Sequence, residues 1–471
     1  MNNLVKNEII KIVKKKSFYI ILIVILAYIV LSNVMSKYVY TSINSDYYTE
    51  EYINILKEEI KNLNPESSED VNIYISDKTE IETYELMKQY DKDSWQYALI
   101  QEKGKEYISE VNEYTYKNKD NDALEKSKEE LNKFQERLKT NDWKVFAQEE
   151  LDSLKQNKEI LKEMGQEDKS QDLQIEVLEM RLKYNVEYGN NFKNNALLEY
   201  EQSKITINEL EKTNNKTYEE ELQYQKSKEI VEKDRYVIEN NKDIFNTSNS
   251  RAFLLNVFSK YELFIIITIV LIGGAIVSDE FNKGTIKLLL VRPYSRIKIL
   301  AAKFITVMIT VIFTMIITVI LQFIVGGIFF GFDSISIPAV VYNYTTGKIM
   351  EMSIAKYILI TGLGKLPIYI LMATLAFALS TLFNNTAVAI TITLMGYMAS
   401  SIINQIASYY EVKWLKFFVT PNWDFTQFLY GKLPLMKGLN VPFSIAICLL
   451  YFIIMLIPTV LVFKKRNIKN I

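Results

Sequence analysis

The sequence predicts an all-α membrane protein: six transmembrane helices, with a large extracellular helical or coiled-coil domain between the first and the second. Three observations lead there. Charge is segregated, because the 471 residues carry 55 Lys+Arg and 56 Asp+Glu yet include long uncharged runs. Those runs approach or exceed the ~20 apolar residues a helix needs to cross the hydrocarbon. Finally, residues 36–262 contain only one proline, Pro65, and three glycines, Gly104, Gly165 and Gly189, so little there interrupts a helix.

Taken in order, residues 1–16 are a short basic segment ending in Lys14-Lys15-Lys16. Ser17 to Met35 is uncharged and gives the first span, 17–35. Its apolar stretch exceeds the 7–15 residues of a signal-peptide core, so it reads as an uncleaved anchor. The second span lies near 261–278, and the third near 302–330, inside the uncharged run Phe304–Phe332. Leu366 to Tyr410 is too long for one helix, and Asn384-Asn385 marks a turn within it. This run therefore makes two spans, near 362–383 and 387–408. The sixth lies near 441–463.

Orientation follows from the lysines and arginines beside the spans. With the N-terminus inside, segments 1–16, 279–303 and 464–471 carry 5, 6 and 4 of them against three acids, Glu8, Asp279 and Glu280. Residues 36–262 carry a net charge of −16 and are placed outside, with both termini cytoplasmic. In this block Leu124, Leu131 and Leu138 recur at seven, with Phe134 on the same seam, which suits helices packed side by side. An antiparallel arm turning near Asn141, Gly165 and Asn214-Asn215 is expected, and a forty-residue helix in it would reach about 60 Å. Val71, Ile73 and Ile75 alternate and predict one short strand. The arm reads as a projecting spacer or dimer brace, or as a surface for substrate or partner capture. Segment 411–437, with Trp414, Trp423, Phe417, Phe418, Phe425, Phe428 and Tyr430, suits short interfacial or re-entrant helices.

Composition excludes several chemistries. The chain has no histidine and a single cysteine, Cys448, which removes Ser-His and Cys-His nucleophile pairs, His-based zinc sites and any intrachain disulfide. It has no phosphate-cradling Gly-x-x-x-x-Gly-Lys-Ser/Thr stretch, so no ATP site of its own is expected. Gly362-Leu363-Gly364-Lys365 lies at an expected outer boundary, from which Lys365 would snorkel to the surface. Gln322 and Asn404 are the polar side chains placed to line a pathway or to hydrogen-bond between helices.

The informative loop is SDEFNKGTIKLLLVRPYSR, residues 278–296. Asp279-Glu280 end a span and Gly284 can stop a helix in a left-handed conformation. Thr285 can then cap a short helix over Ile286–Val291, which Pro293 terminates. Ser295 can cap the next helix, which carries Arg296 and Lys298. The short helix presents Ile286, Leu288, Leu289 and Leu290 and must bury them in lipid headgroups or against protein. Glu280 can pair with a basic residue of a partner or of the N-terminal segment. Arg296 can neutralise the end of the short helix or bind anionic lipid.

The constellation Glu280, Gly284, Thr285, Leu288, Leu289, Pro293, Ser295 and Arg296 resembles the intracellular loop of type-2 ABC transporter permeases, a family of mostly bacterial export subunits. NEIIKIVKKKS is similar to that family's amphipathic elbow helix, and FKKRNIKNI to its basic ending. The six-span layout with a large outer insertion is similar to a Gram-positive subset. The resemblance implies that 284–292 is a coupling helix docking into a separate ATP-binding subunit, which would hold ATP-Mg while this chain binds no cofactor. It implies a non-enzymatic transporter subunit in the bacterial plasma membrane, paired with a second copy or a paralogue. Expected cargo is an antimicrobial peptide, drug, lipid or ion. Membrane lipid is an expected partner and nucleic acid is not. The competing expectation is a non-transporting receptor, secretion-associated protein or sensor with a coiled-coil ectodomain.

Overall fold

The computed structural model describes residues 1–39, 50–140, 142–165, 168–285, 294–409 and 412–466. The chain is overwhelmingly helical, as predicted, and forms two compact units. One comprises Met1–Ser42, Asn215–Gln225 and Phe245–Ile471, the other Ile43–Asn214 and Lys226–Ile244.

Helices α1 (Asn2–Val13) and α2 (Lys16–Val34) come first. There follow α3 (Glu50–Glu59), α4 (Val71–Met87), α5 (Trp95–Leu99), α6 (Lys105–Glu113), α7 (Asn121–Leu138), α8 (Trp143–Glu163), α9 (Lys169–Lys183), α10 (Phe192–Lys212) and α11 (Tyr218–Asn240). Then come α12 (Ser250–Leu255), α13 (Val257–Lys260), α14 (Glu262–Ala275), α15 (Ser278–Asn282) and α16 (Arg296–Phe330). After the antiparallel hairpin β1 (Ala339–Asn343) and β2 (Lys348–Met352), α17 (Ile354–Phe383), α18 (Thr386–Tyr409) and α19 (Val441–Lys465) complete the first unit.

Among the described residues of this unit, five helices are long and apolar enough to cross a bilayer: Lys16–Tyr38, Arg296–Phe330, Ile354–Phe383, Thr386–Ser408 and Val441–Lys465. The second predicted span, near 261–278, is instead a shorter apolar helix, α14, of 14 residues. Ser278 shows why it stops early. Its N–H donates to Ser380 Oγ at 3.0 Å and its hydroxyl to the Gly274 carbonyl at 2.7 Å, so the chain turns inside the protein. α14 is the central element, packed by α16, α17 and α18 around Ile265, Ile266, Ile269 and Val270. Gly273 and Gly274 permit that approach, since a Cβ at Gly274 would lie 2.9 Å from the Ile390 side chain.

Other boundaries follow local chemistry. Asn384 adopts the left-handed conformation (φ 53°) and Asn385 Oδ1 accepts the Ala387 N–H, so the two asparagines make the α17–α18 turn. α17 starts at Ile354, capped by Ser353, and not near 362, because the cap and the preceding hairpin occupy ground expected to be an irregular outer segment. Segment 411–437 holds two 3₁₀ stretches, Lys413–Phe417 and Phe425–Gly431.

The second unit has its own core, built on Leu99, Phe134, Leu138, Phe146, Leu151 and Leu178. Its helices break near the expected places. α7 ends at Leu138, Gly165 takes φ 69° after α8, and Asn215 takes φ 61° after α10. Two expectations are corrected. No described helix in this region exceeds the 23 residues of α11, because further breaks such as that at Asn185 (φ 53°) fold the chain back on itself. Val71, Ile73 and Ile75 form no strand but open α4, where Val71 and Ile75 are buried and Ile73 is 54% exposed. Positions i and i+4 share a helix face, and that periodicity prevails.

Candidate functional site

The charges at the root of the 278–296 loop converge on Lys303. Its side chain is fully buried in the first turns of α16, where only an anionic pocket can hold an ammonium at tolerable cost. Nζ donates to Glu8 Oε2 at 2.8 Å, lies 2.9 Å from Glu280 Oε1, and donates to the Ile276 carbonyl at 3.0 Å. Lys11, one turn after Glu8 on α1, bridges the same carboxylates, at 2.7 Å to Glu8 and 2.9 Å to Glu280. Lys15 pairs with Asp279 at 2.8 Å, and the Thr386 hydroxyl donates to the other oxygen of Asp279 at 3.2 Å.

Three cations and three carboxylates thus knot together α1, the start of α2, α15 and the base of α16, while Thr386 adds the start of α18. Burial alone would push the Glu8 carboxyl up, but Lys303 and Lys11 outweigh it and hold Glu8 below its ordinary range. At Lys11, the Glu8 and Glu280 carboxylates outweigh burial and raise its affinity for its proton. The knot is charge-balanced, three ammonium groups against three carboxylates.

The sequence-selected residues fall as follows. Glu280 is at the centre of the knot, paired with the N-terminal helix. Gly284 takes φ 68° just after α15, and the Thr285 hydroxyl donates to the Glu280 carbonyl at 3.4 Å. Leu288, Leu289 and Pro293, with the rest of the expected short helix, lie outside the described residues. Ser295 caps α16 by accepting the Lys298 N–H. Arg296 reaches the carbonyls of Lys464 and Arg466 at the end of α19, where a cation complements the helix dipole. Gln322 is fully buried and hydrogen-bonds across helices, accepting from Tyr261 Oη at 2.6 Å and from Asn33 Nδ2 at 3.1 Å. Asn404, on α18, is partly exposed. Gln322 and Asn404 are therefore not brought together with the knot by the contacts described.

Lys365 corrects an expectation. Because α17 begins eleven residues before it, Lys365 sits within the helix and does not snorkel to a surface. Its ammonium, 10% exposed, donates to Glu262 and, at 2.8 Å, to Asp424, and Tyr397 donates to Glu262 at 2.9 Å. A second ionic knot therefore closes the opposite end of α14.

Sequence reasoning overlooked Glu8 and Lys303 as partners. A signal was available: Glu8 is the lone acid in a basic segment, and Lys303 is the last charge before a 29-residue uncharged run.

Residues 230–469 match a family described as "Protein of unknown function (DUF2705)". The chain is similar to the uncharacterized protein YhcI of Bacillus subtilis (strain 168), at 33% identity over 202 residues, covering 43% of this chain and 64% of YhcI. It is also similar to the uncharacterized membrane protein YdbK of the same organism, at 30% identity over 200 residues, covering 42% of this chain and 76% of YdbK. The chain thus spans just under two thirds of the first relative and about three quarters of the second. No solved structure matches. With more than half of its length matched by the family and five spanning-length apolar helices in place, this chain belongs to the DUF2705 family and is a multi-pass membrane protein.

Proposed function

We propose that this chain is the membrane-spanning permease subunit of an ATP-driven exporter of the type-2 ABC class, worked by a separate ATP-binding subunit. The observation that carries the reading is the Glu8–Lys303–Glu280 knot. It fixes the root of the 284–296 loop to the N-terminal helix and to the base of α16. A force on that loop would therefore pass to α1, α14 and α16 as one body. A passive connector between spans needs no buried three-helix ion cluster, whose desolvation cost is large. In this reading the chain sits in the plasma membrane with both termini and the loop cytoplasmic. Two copies, or one copy and a paralogue, pair with two ATP-binding subunits. ATP binding draws those subunits together, and the loops move the spans to release cargo outward.

The test replaces Leu288 and Leu289 together by aspartate and purifies the full chain with its candidate ATP-binding subunit. Loss of co-purification and of the permease-dependent part of ATP hydrolysis is expected. Undiminished association and hydrolysis would reject the coupling role.

A further inference from the structure

Between α1, the start of α2, α14, α15 and α18 lies a crevice of about 870 Å³. That volume falls within the roughly 300–1,000 Å³ of small-ligand sites. Its two walls differ. One is the charged knot, with Lys14 and Lys283 added on the rim. The other is apolar, made by Ile20, Ile21, Leu271, Ile272 and Ile390.

The charge balance singles out a ligand. Glu8, Asp279 and Glu280 are matched by Lys303, Lys11 and Lys15. Lys14 and Lys283 are exposed, make no ion pair among the described residues, and leave the rim with two surplus positive charges. Ile20, on the apolar wall, is 59% exposed on a spanning helix, so that wall is continuous with a surface that faces acyl chains. A free phosphate has no use for the isoleucines, and a zwitterionic headgroup does not neutralise the rim. Basic pockets between spanning helices suit anionic headgroups.

We propose that this crevice binds an anionic glycerophospholipid, with its phosphate between Lys14 and Lys283 and its upper acyl chains along Ile20, Leu271 and Ile390. The assignment does not depend on the export reading. A lipid there would touch α1 and α15 at once and brace the knot from the side facing the bilayer.

The probe is phosphatidylglycerol against phosphatidylcholine of identical acyl chains, added to the delipidated full-length protein in neutral detergent and read by native mass spectrometry. Preferential retention of phosphatidylglycerol is expected. The Lys14→Gln/Lys283→Gln variant should lose about fivefold of that preference per lysine. Lys413→Gln/Lys416→Gln, at the far end of the spans, should lose none. Lys14, Lys283 and Lys413 are exposed and Lys416 is half-buried, and a monodisperse elution profile verifies that each variant keeps its fold. Equal retention of the two lipids by the wild type, or equal loss in both variants, would overturn the site. Displacement of phosphatidylglycerol by equimolar inorganic phosphate or by glycerophosphoglycerol would overturn the lipid assignment in favour of a simple anion site.

Discussion

Replacing Lys303 by methionine keeps the length of the side chain and removes its charge. Lys303 has no exposed surface, and it serves Glu8, Glu280 and the Ile276 carbonyl within 3.0 Å. Removing one partner of a buried ion pair costs about 3–5 kcal/mol, mostly as the penalty on the charge left behind. Lys11 still touches both carboxylates, which places the expected loss near the lower figure, about 3 kcal/mol. At roughly 2–4 °C per kcal/mol for a domain of 150–250 residues, that is a fall of about 6–12 °C. The assay is thermal unfolding of the full chain in detergent, followed by tryptophan fluorescence at one fixed scan rate. Trp423 in the core of this unit reports on it directly. Lys298→Met, which removes an exposed lysine five residues earlier on the same helix, is the control and should move the midpoint by no more than ~1 °C. Adding Glu8→Gln to Lys303→Met should recover about half of the loss, since Lys11 and Glu280 then form a balanced pair. A single variant no less stable than the control, or a double variant no better than the single, would refute the reasoning.

Two further outcomes concern the second unit. Asp234 on α11 is fully buried with no hydrogen-bond partner on either oxygen among the described residues, and burial, then Glu199, push its carboxyl up to about 8. Between its unfolded value of about 3.8 and about 8 the folded chain holds a proton that the unfolded chain has released. Stability should therefore fall by about 1.4 kcal/mol per pH unit through that window and level off above it. Asp234→Asn should abolish the slope, measured as hydrogen exchange in peptides from 226–240 after correction for intrinsic rates; an unchanged slope would exclude Asp234 as its source. Ile75→Ala should destabilise this unit by about 2–4 kcal/mol while Ile73→Ala stays within ~0.5 kcal/mol, in denaturant midpoints read by Trp95 and Trp143 fluorescence; equal effects would mean that α4 presents a different face.

Local signals were legible in the sequence because local chemistry decides them. Asn384-Asn385 marked a turn, Gly284 a left-handed stop and Ser295 a cap, and each stands where its side chain or its conformational freedom requires. Val71, Ile73 and Ile75 were ambiguous because residues at i, i+2 and i+4 contain both the strand period and the helical i, i+4 pair. Lys365 misled because the edge of an uncharged run, at Leu366, is not the edge of a helix: the Ser353 cap starts α17 twelve residues earlier, and Glu262 and Asp424 pair the lysine within it. The Glu8–Lys303 contact joins residues 295 apart, and nothing local to either says which opposite charge it will meet. The short β1–β2 hairpin was overlooked because its five-residue strands sit in a segment read only for its charge.

The brevity of α14 has an electrical consequence. Fourteen residues rise only about 21 Å, against a hydrocarbon layer of about 30 Å. Glu262 marks one end of the helix and Asp279 lies just past the other, and Asp424 and Asp279, in the two flanking knots, keep 34% and 27% of their side chains exposed. On the six-span reading, the two knots would stand closer together than the surrounding hydrocarbon is thick, and a voltage across the bilayer would fall more steeply between them. On that reading, a charge carried between the two knots would exchange about 2.3 kcal/mol with each 100 mV, so membrane potential would act as a lever on motion of this helix.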